Sequence, residues 1–304
     1  MLSESFQPYS LNLRGRLVEI KRPWIMGILN VTPDSFFSGS RCPETSLIEA
    51  RVKQMVDEGV DVIDIGAYST RPGAADVTPA EEIARLERGM KVVRRIAPDA
   101  IVSVDTFRAD VARSCVEQLG VDIINDVAGG TLDDRMFATV AQLGVPYIVM
   151  HMRGTPGTMQ QLTDYDDVTA EVLQYLARKV DELHQMGVND VIADPGFGFS
   201  KTVEQNYELI QNLSVFHQLE VPLLVGVSRK SMVFRLLGCT PAEALNGTTV
   251  LNTMALERCS HFLRVHDVRQ AVEVRAIVEA ARGGQWTAPE LDINLDDAFS
   301  SFGY

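Results

Sequence analysis

The chain has 304 residues, of which 46% are hydrophobic and 23% are charged. This balance is typical of a globular protein and excludes the disordered, collagen-like and coiled-coil classes. The formal net charge of −13 argues against general binding to nucleic acid, because an acidic surface repels a polyphosphate. A few local cations can still draw a small anionic substrate into a cleft.

The first residues and the cysteines indicate a reducing compartment. The opening MLSESFQPYS contains an acid and no base, so we expect no signal peptide. No apolar run approaches the roughly 20 residues of a membrane span. The cysteines stand far apart without a CxxC pair, at Cys42, Cys115, Cys239 and Cys259. We therefore expect free thiols and a cytoplasmic protein.

Eight short apolar runs, rich in β-branched residues, recur along the chain. They are nearly continuous rather than alternating, which is typical of strands buried on both faces of a parallel sheet. The runs cover residues 24–30, 60–66, 101–105, 121–126, 145–151, 191–194, 222–227 and 262–266.

Segments with helical spacing separate these runs. The clearest are 46–58, 79–96, 107–119 and 133–143. The tetrapeptide TPAE occurs at 78–81 and again at 240–243. It predicts a capping box with proline at the first helical position.

Eight strand–helix units predict the α/β class and a (β/α)₈ TIM barrel. The alternative is an open doubly wound sheet, although no GxGxxG follows the first run as a dinucleotide fold requires. We expect residues 1–22 to form an N-terminal extension, with a β-hairpin at 11–20 that plugs the bottom of the barrel. Residues 23–284 form the barrel, and residues 285–304 form an acidic C-terminal extension.

Polar residues follow the apolar runs at the predicted carboxyl ends of the strands. A barrel brings these ends into one ring, so we expect an active site there. Two loops rich in glycine, serine and proline, at 31–40 and 67–73, can close over a ligand. The polar residues are Asn30, Asp64, Asp105, Asn125, Asp126, His151, Asp194, Ser228, Arg229, Lys230, Arg264 and His266.

Seven segments together carry a family resemblance. They are ILNVTPDSF (28–36), DIGAYSTRPG (64–73), SVDT (103–106), IIND (123–126), DPGFGF (194–199), SRKS (228–231) and RVHDV (264–268). In this order, from about residue 23 to 280, the chain is similar to dihydropteroate synthase. The resemblance implies a (β/α)₈ barrel that joins 6-hydroxymethyl-7,8-dihydropterin pyrophosphate to p-aminobenzoate, with Mg²⁺. The products are 7,8-dihydropteroate and pyrophosphate, in folate synthesis. It also implies competitive inhibition by sulfonamides, and a homodimer.

The same resemblance implies a set of pterin-binding residues. The Asp194 carboxylate accepts the two adjacent N–H groups of the aminopyrimidine edge. Asn125 contacts the same ring, and Asp105 lies near the ring and the reacting methylene. Lys230 donates to the ring's oxygen and nitrogen, and Arg264 stacks its flat guanidinium on the pterin face.

The pyrophosphate needs positive charge, and the resemblance implies Asn30, Arg264 and His266 as the residues of its anion site. Asn30 is also the implied contact of Mg²⁺, and Thr70 and Arg71 help to bind the diphosphate or to order the second loop. One amide oxygen is a weak magnesium site by itself, because Mg²⁺ binds mainly through phosphates and water. We therefore expect little metal affinity without pyrophosphate.

For p-aminobenzoate, the resemblance implies a second set. Phe197 offers an apolar wall, Ser231 and Lys230 donate to the carboxylate, and Pro72 and Phe36 close the pocket. The residues at 37–41 replace the family's acidic Gly-Gly continuation, which leaves the closure of the first loop open.

The implied mechanism needs no nucleophilic side chain. Pyrophosphate leaves, a cationic pterin methylene forms beside Asp105 and Asp194, and the aniline nitrogen attacks it. Two alternatives stay open: a pterin- or folate-binding methyltransferase domain, and a non-catalytic pterin-binding paralogue. We interpret His184, His217 and His261 as structural or surface residues.

Overall fold

The computed structural model describes residues 6–32, 43–68 and 77–283. In these ranges an antiparallel hairpin, β1 (Tyr9–Leu13) and β2 (Arg16–Ile20), precedes a sheet of eight parallel strands. The eight are β3 (Trp24–Asn30), β4 (Val62–Gly66), β5 (Ile101–Asp105), β6 (Ile123–Asp126), β7 (Tyr147–Met150), β8 (Val191–Asp194), β9 (Leu224–Val225) and β10 (Phe262–Val265).

The eight strands close into a barrel. They are ordered β8-β7-β6-β5-β4-β3-β10-β9, with parallel pairing throughout. The two ends of this order meet through a parallel bridge between Ala193 of β8 and Leu223, just before β9. The predicted (β/α)₈ TIM barrel is confirmed.

Helices connect successive strands and cover the outside of the barrel. They are α1 (Pro43–Asp57), α2 (Pro79–Ile96), α3 (Ala109–Leu119), α4 (Met136–Leu143), α5 (Val168–Gln185), α6 (Val203–Gln211), α7 (Ser231–Leu237), α8 (Leu245–Glu257) and α9 (Val268–Ala281). No helix in the described ranges is long and apolar enough to cross a membrane. The C-terminal extension expected at 285–304 lies outside the described residues.

The two TPAE segments cap different structures. The Thr78 hydroxyl accepts the N–H of Glu81 at 3.3 Å, but the Glu81 carboxylate bonds Arg85, so only half of the expected box forms ahead of α2. At Thr240 the box is complete, and it caps the 3₁₀ turn Pro241–Glu243 that precedes α8. The predicted capping box is therefore confirmed at Thr240, where it caps a 3₁₀ turn, and only its hydroxyl half forms at Thr78.

The hairpin closes the amino-terminal end of the barrel, as predicted. Leu11, Leu13 and Ile20 are almost fully buried against the inward-facing residues near the starts of the strands. That apolar layer contains Trp24, Met26, Val62, Ile123, Ile148, Ile192, Leu224 and Phe262.

This layer also fixes which polar side chains face inward at the other end. Successive side chains of a strand point to opposite faces, so every second residue after an inward apolar residue also faces the barrel interior. Six of the eight strands thereby have an apolar inward residue near the start and a polar one near the end. The inward positions toward the carboxyl ends are taken by Asn30, Asp64, Asp105, Asn125, Asp194 and Arg264.

Candidate active site

Arg264 stands at the centre of the carboxyl-terminal mouth. Its Nε donates to Asp64 Oδ2 at 2.7 Å and its Nη2 donates to Asp105 Oδ2 at 2.6 Å. Asn125 Nδ2 donates to the same Asp64 oxygen at 3.2 Å. Four polar residues from four strands therefore form one connected network, and three N–H groups of the guanidinium are left for a ligand.

Burial and the shared guanidinium together shift the pKa values of Asp105 and Arg264. Burial raises the pKa of Asp105 to about 7, since the lowering effect of Arg264 is partly offset by the charge of Asp64. For Arg264, burial lowers the pKa, but the two carboxylates outweigh it and the net shift is upward. One cation thus serves two acids, and Asp105 is poised to hold or release a proton near neutral pH.

Asp194 and Lys230 form the second charged pair of the mouth. Burial raises the pKa of Asp194, and the nearby charge of Lys230 opposes that shift. Burial lowers the pKa of Lys230 to about 8, opposed by Asp194. The Lys230 ammonium donates to the Phe197 carbonyl at 2.6 Å and lies 4.6 Å from the centre of the Phe199 ring.

The loop after β8 is built around a buried lysine. The Lys201 Nζ is 2.9 Å from Nδ1 of His151 and donates to the carbonyls of Gly196 and Phe199 at 3.0 Å each. The nitrogen of Lys201 thus has three polar partners, and burial lowers its pKa well below the usual value. Gly198, with φ +80°, is needed where the loop passes Lys230, because a Cβ there would lie 3.1 Å from the lysine Cδ.

Phe197 does not have the position expected of it. Its side chain is 0% exposed and belongs to the core between barrel and helices, so it cannot line a pocket for p-aminobenzoate. Its carbonyl oxygen, which accepts from Lys230, is the part that reaches the site. Phe199, partly buried on the mouth side, supplies the aromatic face instead.

The segments SRKS and RVHDV are held together by an ion pair. Arg229 donates to both oxygens of Asp267, at 2.8 and 2.9 Å, and to the carbonyls of Pro241 and Ala242. This contact fixes the backbone that presents Lys230. Ser231, the first residue of α7, follows it and is half-buried.

His266 lies at the mouth but carries no charge at neutral pH. Burial, then the charge of Arg264, lowers its pKa to about 4. Its Nδ1 is 3.0 Å from the Ser228 hydroxyl, which also accepts the His266 backbone N–H at 3.1 Å. His266, expected in the anion site, therefore offers a neutral imidazole with one N–H that can donate a hydrogen bond.

The surroundings of Asn30 suit a weakly held Mg²⁺. In the described residues no group of three His, Cys, Asp or Glu side chains could hold a metal ion. Asn30 offers an amide oxygen beside Gly66, where a Cβ would lie 3.4 Å from Asn30 Oδ1 and 4.0 Å from Asp105 Oδ2. Asn30 Oδ1 is a hard oxygen donor, the ligand type that Mg²⁺ prefers, whereas Asp105 Oδ2 is already bonded to Arg264.

Several expected residues lie outside the described residues: Phe36, Thr70, Arg71, Pro72 and Cys42. Of the histidines interpreted as structural, His261 is fully buried, with Nδ1 accepting the Leu223 N–H at 3.0 Å and Nε2 bonded to the Gln7 carbonyl. His217 bonds the Arg258 carbonyl, and His184 is exposed.

Sequence reasoning missed two contributors. Asp64 was noticed as a polar strand end but received no role, and Lys201 was not considered. The available signal for Lys201 was a lysine placed two residues after the glycine-rich DPGFGF segment. Its partner His151 is 50 residues away in sequence, so the pairing itself was not visible.

Comparisons with known proteins agree with this geometry. The sequence profile described as pterin binding enzyme matches residues 26–266. The dihydropteroate synthase of Escherichia coli strain K12 is 41% identical over 273 residues, covering 88% of this chain and 94% of the relative.

Two solved structures are similar over almost their whole length. The Xanthomonas albilineans dihydropteroate synthase with 4-aminobenzoic acid has a TM-score of 0.84 and 34% identity, covering 91% of this chain and 99% of that one. The Yersinia pestis enzyme with a sulfonamide drug complex has a TM-score of 0.83 and 36% identity, covering 90% and 99%. With its barrel and its ring of inward polar residues, the chain belongs to the pterin-binding enzymes and, among them, to the dihydropteroate synthases.

Proposed function

We propose that the protein condenses 6-hydroxymethyl-7,8-dihydropterin pyrophosphate with p-aminobenzoate, releasing 7,8-dihydropteroate and pyrophosphate. The observation that carries this proposal is the meeting of two carboxylates, Asp105 and Asp194, with two cations, Lys230 and Arg264, inside one barrel mouth. Such a site can hold a polar heterocycle and attract a diphosphate at the same time.

Asp194 and Lys230 bind the pterin ring. The ring's aminopyrimidine edge offers adjacent N–H donors, which the Asp194 carboxylate accepts in bidentate fashion. Lys230 donates to the ring's acceptor atoms, and Asn125 bonds the same ring. The guanidinium plane of Arg264, held by Asp64 and Asp105, is free to stack on the pterin face.

The leaving group is bound by the remaining donors of the mouth. Arg264 supplies the positive charge and its unused N–H groups. With the Ser228 hydroxyl donating to its Nδ1, the neutral His266 ring carries its proton on Nε2 and donates it to a phosphate oxygen. Asn30 would hold Mg²⁺, and the bound ion would neutralise part of the negative charge of the pyrophosphate.

Carbon–oxygen cleavage at the methylene leaves a cation that the pterin ring delocalises. Asp105 and Asp194 place negative charge beside it, and no side chain has to act as nucleophile. The aniline nitrogen of p-aminobenzoate then attacks the methylene and loses a proton, which the released pyrophosphate accepts. The carboxylate of p-aminobenzoate is bound by Ser231 at the start of α7. Phe199 supplies the aromatic wall first expected of Phe197.

A direct assay tests this function. The purified chain is mixed with the pterin pyrophosphate, labelled p-aminobenzoate and Mg²⁺, and labelled dihydropteroate is separated and counted. We expect product, and we expect a sulfonamide to raise the KM for p-aminobenzoate without changing kcat. Pterin binding without product would favour the non-catalytic paralogue, and transfer of a methyl group from a folate would favour the methyltransferase.

We further propose a cytoplasmic homodimer. In the described part of the chain, Cys115, Cys239 and Cys259 are free thiols. Exposed apolar side chains of α7 and α8, Leu236, Leu237 and Val250, form a face suited to a second copy. Sedimentation equilibrium should give a dimer for the wild-type chain and a monomer for Val250→Glu.

A further inference from the structure

Asp64 connects two residues of the proposed pterin site. It lies on β4, its side chain is 0% exposed, and its Oδ2 accepts from both Arg264 Nε and Asn125 Nδ2. These two donors come from β10 and β6, which each lie two strands away from β4, on opposite sides of it. A single carboxylate oxygen therefore sets the position of both side chains.

The second oxygen of Asp64 sets it apart from a purely structural carboxylate. Asp126, also fully buried, accepts from the Ala128 N–H, the Gly130 N–H and the Tyr147 hydroxyl, so both of its oxygens are bonded. Asp64 Oδ1 is buried and has no hydrogen-bond partner within the described ranges. Buried polar atoms are normally paired, so a free acceptor under the mouth points to a group that is satisfied only with ligand or water present.

The contact with Asp64 also decides how Asn125 faces a ligand. An ionised carboxylate oxygen can only accept, so Asn125 must turn its amino group toward Asp64. A flipped amide would bring two oxygens to the observed 3.2 Å, which is repulsive. The amide oxygen of Asn125 is therefore the group presented to a bound ring, and it requires an N–H donor there.

We propose that Asp64 is a positioning residue of the pterin site. It fixes the guanidinium of Arg264, and it selects the amide orientation by which Asn125 recognises an N–H of the ring. This inference rests on the proposed function, because it assumes that the pterin binds in this mouth.

The first test leaves Asp64 intact and changes its partner. Binding of 6-hydroxymethyl-7,8-dihydropterin pyrophosphate is measured by calorimetry at pH 8.0, where a proton shared by two carboxylates is scarce, for Asn125→Ala and Asn125→Asp. The aspartate keeps an acceptor oxygen for the ring but faces the Asp64 carboxylate. We expect Asn125→Asp to bind at least tenfold more weakly than Asn125→Ala. Equal or tighter binding overturns the proposal.

The second test is a double-mutant cycle. Asp64→Asn should raise the Kd for the pterin pyrophosphate, and its KM, at least tenfold, with the KM for p-aminobenzoate changed less than twofold. In the Asn125→Ala background the same substitution should cost at least threefold less than in the wild-type background, because only its effect through Arg264 remains. Equal costs in both backgrounds contradict the role.

A matched control separates this role from loss of stability. Asp122 is buried at the opposite end of the barrel, where its Oδ2 accepts the Val102 N–H at 2.9 Å. Asp122→Asn should lower Tm with both KM values unchanged. A wild-type chain that does not bind the pterin pyrophosphate contradicts the proposed function, whereas wild-type binding with Asn125→Asp at least as tight as Asn125→Ala contradicts the role of Asp64 alone.

Discussion

The two ends of the barrel use similar residues for different purposes. At the amino-terminal end, Arg94 donates to the carbonyls of Pro98, Ala100 and Gly120 and lies 3.5 Å from Asp122. At the carboxyl-terminal end, the partners of Arg264 among the described residues are two side-chain carboxylates, which share its guanidinium.

The difference lies in how completely each charge is satisfied. At the amino-terminal end, backbone carbonyls bind Arg94 and the hairpin covers the opening, leaving a small cleft of about 290 Å³ lined in part by Arg14, Arg16 and Arg94. At the carboxyl-terminal end, Asp64 has an oxygen without a partner in the part of the chain that the structure describes, and the pKa values of Asp105 and Lys230 are shifted toward neutrality. The first arrangement stabilises the fold, and the second keeps charge and hydrogen-bonding capacity for a ligand.

The largest expected effect is a loss of activity from a substitution at the carboxyl-terminal end of the barrel. Asp105→Asn removes negative charge beside the reacting methylene, and we expect kcat/KM to fall about 10³-fold, or about 4 kcal/mol in transition-state stabilisation. Steady-state kinetics and Tm are measured together. Near-normal turnover in Asp105→Asn, with a Tm near that of the wild type, would contradict a catalytic role. Asp122→Asn is the control at the amino-terminal end, where we expect a lower Tm and an unchanged kcat.

Next in size is a substitution at the hairpin. Leu11→Ala removes a buried side chain from the apolar layer at the amino-terminal end, and we expect the free energy of unfolding to fall by about 3 kcal/mol. Urea unfolding measures the loss. Both KM values should stay within twofold, because the layer lies at the far end from the substrates; a rise in the KM for pterin pyrophosphate would show that the two ends are coupled.

The third prediction concerns pH and Lys230. Its ammonium form donates to the ring, and its pKa is about 8, so affinity for the pterin pyrophosphate should be full below pH 7 and decline about tenfold between pH 7.5 and 9.5. Calorimetry across this range tests it. In Lys230→Arg the side chain stays charged, so the affinity for the pterin pyrophosphate should no longer fall between pH 7.5 and 9.5. If the affinity of this variant falls as in the wild type, the titrating group is not Lys230.

The smallest effect is acid sensitivity at the closed end. Burial lowers the pKa of His261 to about 4, below the unfolded value of about 6.5, so the native state binds fewer protons. Stability is therefore full above pH 6.5 and lost as the pH falls toward 4, by about 1 kcal/mol between pH 7 and 5.5. Urea unfolding at both pH values should give a smaller loss for His261→Gln, and equal losses would remove His261 as the cause.

Much of the fold was predictable because it depends on local patterns. Continuous apolar runs gave all eight barrel strands, and alternation from the apolar layer places the polar strand ends inside. The run at 222–227 shows the limit, since only Leu224–Val225 is a strand. Pro222 has no N–H to donate and Leu223 contributes only a bridge, while the residues after β9 already belong to the loop fixed by Arg229.

The arrangement of the site was less predictable because its contacts join distant segments. Arg264 and Asp64 are 200 residues apart, so the sharing of one guanidinium by two acids follows only from barrel closure. The neutral state of His266 depends on burial beside Arg264, and the burial of Phe197 rather than Phe199 depends on how the loop folds around Lys201. None of these has a signal within its own segment.

The most direct test of the account is a crystal structure with the pterin pyrophosphate bound. We expect the ring in the carboxyl-terminal mouth, with its aminopyrimidine edge within about 3.2 Å of the Asp194 carboxylate and the Lys230 ammonium on its opposite acceptor atoms. A ring bound elsewhere, or bound in the mouth without contacting Asp194, would contradict it.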